Sequence, residues 1–154
     1  MDKLDAQIIR LLIADSHITN SKLAKKIGLS ESATLERVKR LEAMQVIRRY
    51  TVEVDLEKIG HSLEVFMTFT LKNQDVTELE NFMSAMQNLD EVLSCAQVLG
   101  RFDFIAHIAV RDVKDLQSFI NEKLIPLGCI ARMESLTVLK TIKRIHQPNP
   151  FVEE

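Results

Sequence analysis

Apolar residues recur at helical spacing over the first fifty residues of the chain. The first helix is predicted from a stripe of four aliphatic side chains: Leu4, Ile8, Leu11 and Leu12. Asp2 stands at its N-terminus with Asp5 three residues later, where short acidic side chains accept hydrogen bonds from free backbone N–H groups. Asp15-Ser16-His17 interrupts the pattern and ends the helix.

Two further helices follow around a glycine. The second is predicted to begin at Thr19 or Asn20 and to end before Gly28, because glycine adopts a positive φ at little steric cost. Ser30 then caps a third helix that reaches about Met44. Its predicted buried positions are Thr34, Val38 and Leu41. This order is the helix-turn-helix arrangement, whose second helix enters the major groove of DNA.

The outer surface of this helical region is basic. Residues 22–49 hold eight basic and three acidic side chains. Small groups allow close approach to the groove, and long polar groups reach phosphates or base edges. The expected DNA contacts are therefore Lys22, Ser30, Ser32, Ala33, Glu36, Arg37 and Arg40. The pattern leaves two alternatives open: a three-helix bundle whose basic face is simply solvated, and a three-helix bundle that docks a protein rather than DNA.

The pattern changes to strand-like alternation at residue 50. Tyr50, Val52 and Val54 alternate with polar residues and predict a linker strand. The segments beyond a turn at Gly60 follow the order β-α-β-β-α-β, with strands predicted at 65–71, 92–99, 102–110 and 130–139. This order is typical of a ferredoxin-like domain, so we predict an α+β protein.

These elements predict four regions. They are a helix-turn-helix DNA-binding domain (1–49), a linker strand and turn (50–60), a ferredoxin-like oligomerisation domain (61–145), to which the family resemblance given below adds effector sensing, and a C-terminal tail (146–154). One face of the third strand of the ferredoxin-like domain is wholly apolar: Phe102, Phe104, Ala106, Ile108 and Val110. We expect it beneath the helices. The other face is mixed and suits a partner subunit, so we expect dimers.

Charge supports two modules with different partners. Of the 154 residues 46% are hydrophobic and 27% charged, which excludes a largely disordered chain. The net charge of −2 divides into +4 for residues 1–50 and −6 for residues 51–154. We find no nucleotide-binding glycine loop, no Ser/His/Asp order and no metal-ligand spacing, so we expect no enzyme, cofactor or metal.

Cysteine usage and hydropathy indicate the compartment. Cys95 and Cys129 have no CxxC spacing, and we interpret both as buried thiols in a reducing cytosol. No apolar run approaches the roughly 20 residues that span a bilayer. We therefore expect a cytoplasmic protein without a membrane partner.

Three stretches of the chain carry motifs in a specific order and spacing. They are Asp2-x-Leu4-Asp5-x-x-Ile8, then Leu23-Ala24-x-x-Ile27-Gly28-Leu29-Ser30 followed by Leu35-Glu36-Arg37-Val38-Lys39-Arg40-Leu41-Glu42, and finally Gly100-Arg101-Phe102-Asp103. In this order the chain resembles, over residues 2–145, the Lrp/AsnC (leucine-responsive and asparagine-type, or feast/famine) transcription regulators.

The resemblance implies a sequence-specific DNA-binding regulator that a small amino acid modulates. Family members dimerise through the linker strand and sheet, dimers often form octamers, and many bind an amino acid between dimers. The matching effector residues are Leu99, Gly100, Arg101, Phe102, Asp103, Ser135 and Thr137. The alternative to an effector site at this turn is a plain hairpin in which Asp103 caps its own turn. The alternative to a DNA-binding regulator is a small-molecule sensor whose N-terminal helices dock a protein.

Two departures from the family pattern bear on these expectations. Family members commonly have glycine where Gln45 stands, so a positive φ there would strain Gln45 by about 1 kcal/mol. They also commonly have Thr or Ser where Leu99 stands. The loss of that hydroxyl leaves open an apolar effector such as leucine or methionine, or no effector.

Overall fold

The structure, a computed structural model, describes residues 1–73, 75–143 and 150. The described chain contains two compact units, one of which spans residues 1–53 and the other residues 54–142. The predicted C-terminal tail, except Pro150, and the last two residues of the predicted ferredoxin-like domain lie outside the described residues.

Three helices form the N-terminal unit. They are α1 (Lys3–Ala14), α2 (Asn20–Ile27) and α3 (Glu31–Ala43). Each begins after a side chain that accepts a hydrogen bond from a backbone N–H of the first turn, and these caps are Asp2, Thr19 and Ser30. The predicted starts are confirmed, because capping is a local interaction that sequence reveals.

The turn between α2 and α3 has the predicted helix-turn-helix geometry. Gly28 adopts a φ of 74°, and the N–H of Leu29 donates to the Ala24 carbonyl at 3.1 Å. The Asn20 side chain also donates to the Glu31 carbonyl at 2.7 Å, which joins the start of α2 to the start of α3. The core beneath these helices contains Ile8, Leu23, Ile27 and Leu41.

The chain leaves α3 through a residue in the left-handed region. Gln45 has a φ of 55°, and it is the one non-glycine residue with a positive φ in the described part of the chain. The following N–H groups of Val46 and Ile47 both donate to the Leu41 carbonyl. The condition under which strain was expected at Gln45, a positive φ, is therefore met.

The C-terminal unit has the predicted β-α-β-β-α-β order. Its elements are β1 (Leu63–Leu71), α4 (Val76–Gln87), β2 (Val92–Gln97), β3 (Phe104–Val110), α5 (Val113–Phe119) and β4 (Ile130–Thr137). A π-helical turn (Ile120–Leu124) and a 3₁₀ turn (Ile125–Leu127) extend α5. All strand pairs are antiparallel, in the order β2-β3-β1-β4.

The helices cover one face of this sheet. Phe104, Ala106, Ile108 and Val110 of β3 are buried, which confirms the predicted core face for these four residues. The prediction for Phe102 is wrong, because Phe102 lies in the turn before β3 and is only partly buried. They pack with Phe82 and Met86 of α4 in the main core. The opposite face keeps intermediate exposure at Ile105 and His107.

Two sequence expectations need correction. Cys95 is exposed, because β2 is an edge strand whose position in the sheet a one-dimensional pattern does not show, whereas Cys129 is buried as expected. Residues 50–55 belong to no strand of this chain. An extended segment becomes a strand only when another strand pairs with it. Tyr50 instead donates to the Glu42 carboxylate at 2.8 Å, and burial with that carboxylate raises the pKa of Tyr50 to about 12.

Replacing Gln45 with glycine should stabilise the protein. Gln45→Gly removes the clash of a side chain at positive φ and should raise the free energy of unfolding by about 1 kcal/mol in urea titrations. Met44→Gly is the matched control, since Met44 has a φ of −77° and gains nothing from glycine. An equal loss of stability in both variants would contradict strain at Gln45.

Candidate nucleic-acid interface and ligand-binding turn

A buried carboxylate joins the first helix to the third. Asp5 is 1% exposed, and its Oδ1 atom accepts from Arg37 Nη1 at 2.8 Å. Arg40 Nη2 contacts both Asp5 oxygens, at 2.9 and 2.8 Å. Arg37 Nη1 also donates to Asp2 Oδ2 at 2.7 Å. We call these four residues the Asp–Arg cluster.

The Asp–Arg cluster includes the capping box of α1. The Asp2 side chain accepts from the Asp5 N–H at 2.8 Å, and the Asp5 side chain accepts from the Asp2 N–H at 3.0 Å. Burial raises the pKa of Asp5, but the Asp2 N–H and Arg37 outweigh burial, and the net pKa is below its ordinary value. Asp5 is therefore held as a carboxylate that starts α1 and fixes α3.

This cluster uses the arginines that the sequence suggested for DNA contact. The Arg37 and Arg40 guanidinium groups both point to the N-terminus of α1, and the Arg37 side chain is 25% exposed. Arg37 stands next to the buried stripe of Thr34 and Leu41 on the helix surface. A charged pattern along α3 did not reveal that partner, because Asp5 is 32 residues away in sequence.

A different stripe of α3 faces solvent. Its exposed members, at helical spacing, are Ser32, Leu35, Glu36 and Lys39. We call these residues the exposed α3 face. The DNA contacts predicted from the sequence included Ser32 and Glu36 but not Leu35 or Lys39. Helical spacing could have identified these two, because Leu35 stands at i+3 and Lys39 at i+7 from Ser32. Ala33 is partly buried, and the Ser30 hydroxyl accepts from its N–H at 3.2 Å.

Exposed basic side chains flank the exposed α3 face in the sequence. Lys22, Lys25 and Lys26 lie on the solvent side of α2, and Arg48 and Arg49 follow α3. None of them makes an ion pair within the part of the chain that the structure describes. DNA phosphates can therefore contact these side chains without displacing an ion-pair partner within the described chain.

The Gly100–Asp103 motif forms the turn between β2 and β3. The Val98 N–H donates to the Asp103 carbonyl at 2.9 Å, and the Asp103 N–H donates to the Phe69 carbonyl at 2.8 Å. Asp103 Oδ2 accepts from the Leu71 N–H at 2.8 Å. Asp103 thus attaches the turn to the end of β1 and does not simply cap its own turn.

The tip of this turn is open to solvent. Leu99 is fully exposed, and Gly100 and Arg101 are also exposed. Gly100 has no positive φ, and a Cβ atom there would meet no atom within 4 Å. The fold of one chain therefore does not explain a glycine at this position.

The other two predicted effector residues lie at the opposite edge of the sheet. Ser135 pairs with Met67 and Thr137 with Val65 on β4, whereas the turn joins β2 to β3. Because β3 and β4 lie two strand spacings apart, roughly 10 Å separates them even where they are level. One chain does not bring all seven predicted effector residues together.

A shallow cleft of about 230 Å³ is present elsewhere in this unit. It is lined by Glu78, Asn81, Phe82, Leu127, Gly128 and Cys129, none of which the sequence analysis suggested for an effector. Within the described ranges, no group of three or more His, Cys, Asp or Glu side chains is placed to hold a metal ion. The helices of those ranges are all too short or too polar to cross a membrane.

Comparisons with known proteins identify both units. The model of the AsnC-type helix-turn-helix domain matches residues 1–42, and the model of the Lrp/AsnC ligand binding domain matches residues 64–148. The chain belongs to the Lrp/AsnC family of transcription regulators. It therefore combines a DNA-binding head with a ligand-binding domain, as the sequence motifs predicted.

Relatives of this Lrp/AsnC regulator match over nearly the whole chain. The leucine-responsive regulatory protein of Klebsiella pneumoniae is 33% identical over 94% of this chain and 88% of its own length. The Bkd operon transcriptional regulator of Pseudomonas aeruginosa is 31% identical over 92% of this chain and 93% of its own length. A Neisseria meningitidis regulator, solved as its L-methionine complex, has a TM-score of 0.90 at 27% identity, with 96% of each chain covered.

The open face of the sheet contains a polar contact within an apolar surface. Phe66 of β1 stacks on His107 of β3, with ring centroids 4.5 Å apart. His107 Nε2 lies 3.0 Å from a Glu64 oxygen, although not in hydrogen-bond geometry. Lrp/AsnC regulators self-associate, and this half-exposed face has the mixed character that subunit contacts share.

Removing the charge of Asp5 should loosen the head of this Lrp/AsnC regulator. Asp5→Asn keeps an oxygen for the Asp2 N–H, but it leaves Arg40 without a carboxylate partner and Arg37 with Asp2 alone. We expect a loss of about 2–3 kcal/mol in the free energy of unfolding of the N-terminal unit. Hydrogen exchange of α1 and α3 amides in the full chain measures it.

Acid should produce the same loss in the wild-type protein. The pKa of folded Asp5 is below the unfolded value of 3.8, so the stability that Asp5 contributes is present above about pH 3.8 and disappears as pH falls through the folded pKa.

Asp15→Asn is the control for Asp5→Asn, since exposed Asp15 accepts a hydrogen bond from the His17 backbone N–H. Equal exchange in the two variants would show that the Asp–Arg cluster does not hold the helices.

Proposed function

We propose that the exposed α3 face enters the major groove of DNA and that the flanking lysines and arginines contact phosphates. The observation that supports this proposal is the division of charge on α3: Arg37 and Arg40 are paired internally, whereas Ser32, Glu36 and Lys39 are exposed. A groove-facing surface needs side chains that are not already used in the fold.

Arg37 and Arg40 then act as positioning residues. They hold α3 against α1 through Asp5, so the exposed α3 face has a fixed direction relative to the rest of the head. In a dimer, two such helices should reach half-sites about 34–36 Å apart. A protein that acts on DNA works in the compartment that holds it, which in bacteria such as those of the relatives is the cytoplasm.

We further propose that an amino acid with an apolar side chain binds between copies of the chain. The seven predicted effector residues lie at two opposite edges of one sheet, so a site that uses both sets needs two copies. The Neisseria meningitidis relative binds L-methionine, and fully exposed Leu99 offers an apolar surface in place of the hydroxyl. Arg101 is an exposed donor for the carboxylate of a zwitterion.

Lys39→Ala should weaken DNA binding by removing one phosphate contact. Duplexes selected in vitro from a random library by the wild-type protein provide the ligand. We expect the variant to bind more weakly to all selected sequences and to have a salt slope smaller by about 1.

Lys3→Ala provides the control for the loss of one positive charge. Lys3 is exposed on α1 of the same unit and lies outside the exposed α3 face. The same reduction of the salt slope in Lys3→Ala would mean that only net charge matters. Salt-independent binding of wild type to duplexes would instead favour the alternative in which the head docks a protein.

Effector binding should depend on the charge of Asp103 but not on the fold that Asp103 supports. Asp103→Asn keeps an oxygen that can accept from the Leu71 N–H and removes the negative charge. Isothermal titration calorimetry of the full protein should show binding of methionine or leucine by wild type and at least roughly tenfold weaker binding by Asp103→Asn, because a charge-assisted hydrogen bond to the ammonium is lost.

Asp103→Ala is the comparison that separates the two roles of this side chain. It removes the acceptor for Leu71 as well, so it should also lower the unfolding temperature. Equal affinities of wild type and Asp103→Asn would remove the carboxylate from the site. Absence of heat with all twenty amino acids would contradict an amino-acid effector for this chain.

A further inference from the structure

The exposed α3 face contains two side chains that the N-terminal unit does not use. Leu35 is 43% exposed and lies outside the apolar core of this unit. Glu36 is exposed, and it makes no hydrogen bond or ion pair with any residue that the structure describes. A leucine and a carboxylate side by side on a surface that must approach a polyanion require an explanation.

The Asp–Arg cluster engages one of the two cations at helical spacing after Glu36. Glu36 and Arg40 are four residues apart on α3, a spacing at which opposite charges usually pair on a helix. Arg40 instead contacts both oxygens of buried Asp5. Arg40 is therefore engaged elsewhere, and Lys39, three residues from Glu36, forms no ion pair with it among the described residues, so the Glu36 carboxylate can accept hydrogen bonds from outside the chain.

The chemistry of the major groove limits what these side chains can contact favourably. Phosphates repel a carboxylate, and the groove edges that donate hydrogen bonds are the amino groups of cytosine and adenine. The one apolar group on those edges is the thymine methyl. Leucine and glutamate thus complement two particular features of base edges and none of the backbone.

We propose that Leu35 and Glu36 are specificity-determining residues of this regulator. Leu35 packs on a thymine methyl group, and Glu36 accepts a hydrogen bond from the exocyclic amino group of cytosine or adenine. The proposal rests on the proposed DNA contact through the exposed α3 face. It adds which side chains discriminate bases, as distinct from Lys39, which contacts phosphate.

Thymine-to-uracil substitution tests the role of Leu35, because it deletes a single methyl group. In duplexes selected by wild type, each thymine is replaced in turn by uracil. At one position we expect about fourfold weaker binding by wild type and no change for Leu35→Ala. An equal effect on both proteins at every position, or no effect on wild type at any position, overturns the role of Leu35.

Repeating the selection with Glu36 variants tests the carboxylate. Wild type should enrich cytosine or adenine at one position, and the base that it enriches identifies the amino group. Glu36→Ala should lose that preference by roughly tenfold or more, and Glu36→Gln should shift it toward adenine, with which an amide forms two hydrogen bonds. An unchanged base preference in Glu36→Ala overturns the role of Glu36.

Two controls separate this proposal from the one on which it rests. Lys39→Ala should bind all selected duplexes more weakly and keep the wild-type base preference. If wild type shows no salt-dependent duplex binding at all, the proposed function itself fails. If wild type binds but the Leu35 and Glu36 variants select the same sequences, only the present inference fails. Circular dichroism of both variants, whose altered side chains are exposed, verifies the fold.

Discussion

The N-terminal unit depends on the contacts of one buried carboxylate. Asp5 closes the capping box of α1 through the Asp2 N–H and receives Arg37 and Arg40 from α3. A carboxylate that is 1% exposed is stable only when its lone pairs are filled, and here four hydrogen bonds fill them. Both arginines of α3 bind Asp5, and we propose that the neighbouring exposed α3 face is the surface that meets DNA.

This arrangement divides the basic charge of the head into two kinds. The guanidinium groups of the Asp–Arg cluster are compensated within the unit, and they determine geometry. The lysines of α2, Lys39 and the Arg48–Arg49 pair remain uncompensated within the described residues and produce the positive field. Attraction to phosphate is nonspecific and falls with salt, whereas base preference needs contacts to base edges. In our proposal, different residues of the same surface perform these two tasks.

Local patterns predicted the elements of this fold better than their contacts. Helix caps and the glycine turn follow from neighbouring residues and were predictable, whereas the possibility of a positive φ at Gln45 came from the family resemblance. The Asp5 partners are 32 and 35 residues distant, and the Asp103–Leu71 bond also joins residues 32 apart. Nothing along one segment identifies such partners. The exposure of Cys95 depended on the strand order, which alternation does not contain.

The ligand-binding turn can regulate DNA binding only through the sheet to which it is attached. Asp103 fastens the turn to β1, so the exposed Leu99–Arg101 tip stands on a rigid sheet. A ligand between copies can change DNA binding only by favouring one arrangement of those copies over another. The attachment of the turn to β1 suits this role, because it connects a ligand at the tip to the sheet. If, as we propose, α3 sets base preference and the turn sets ligand preference, the two depend on separate residues and can change independently.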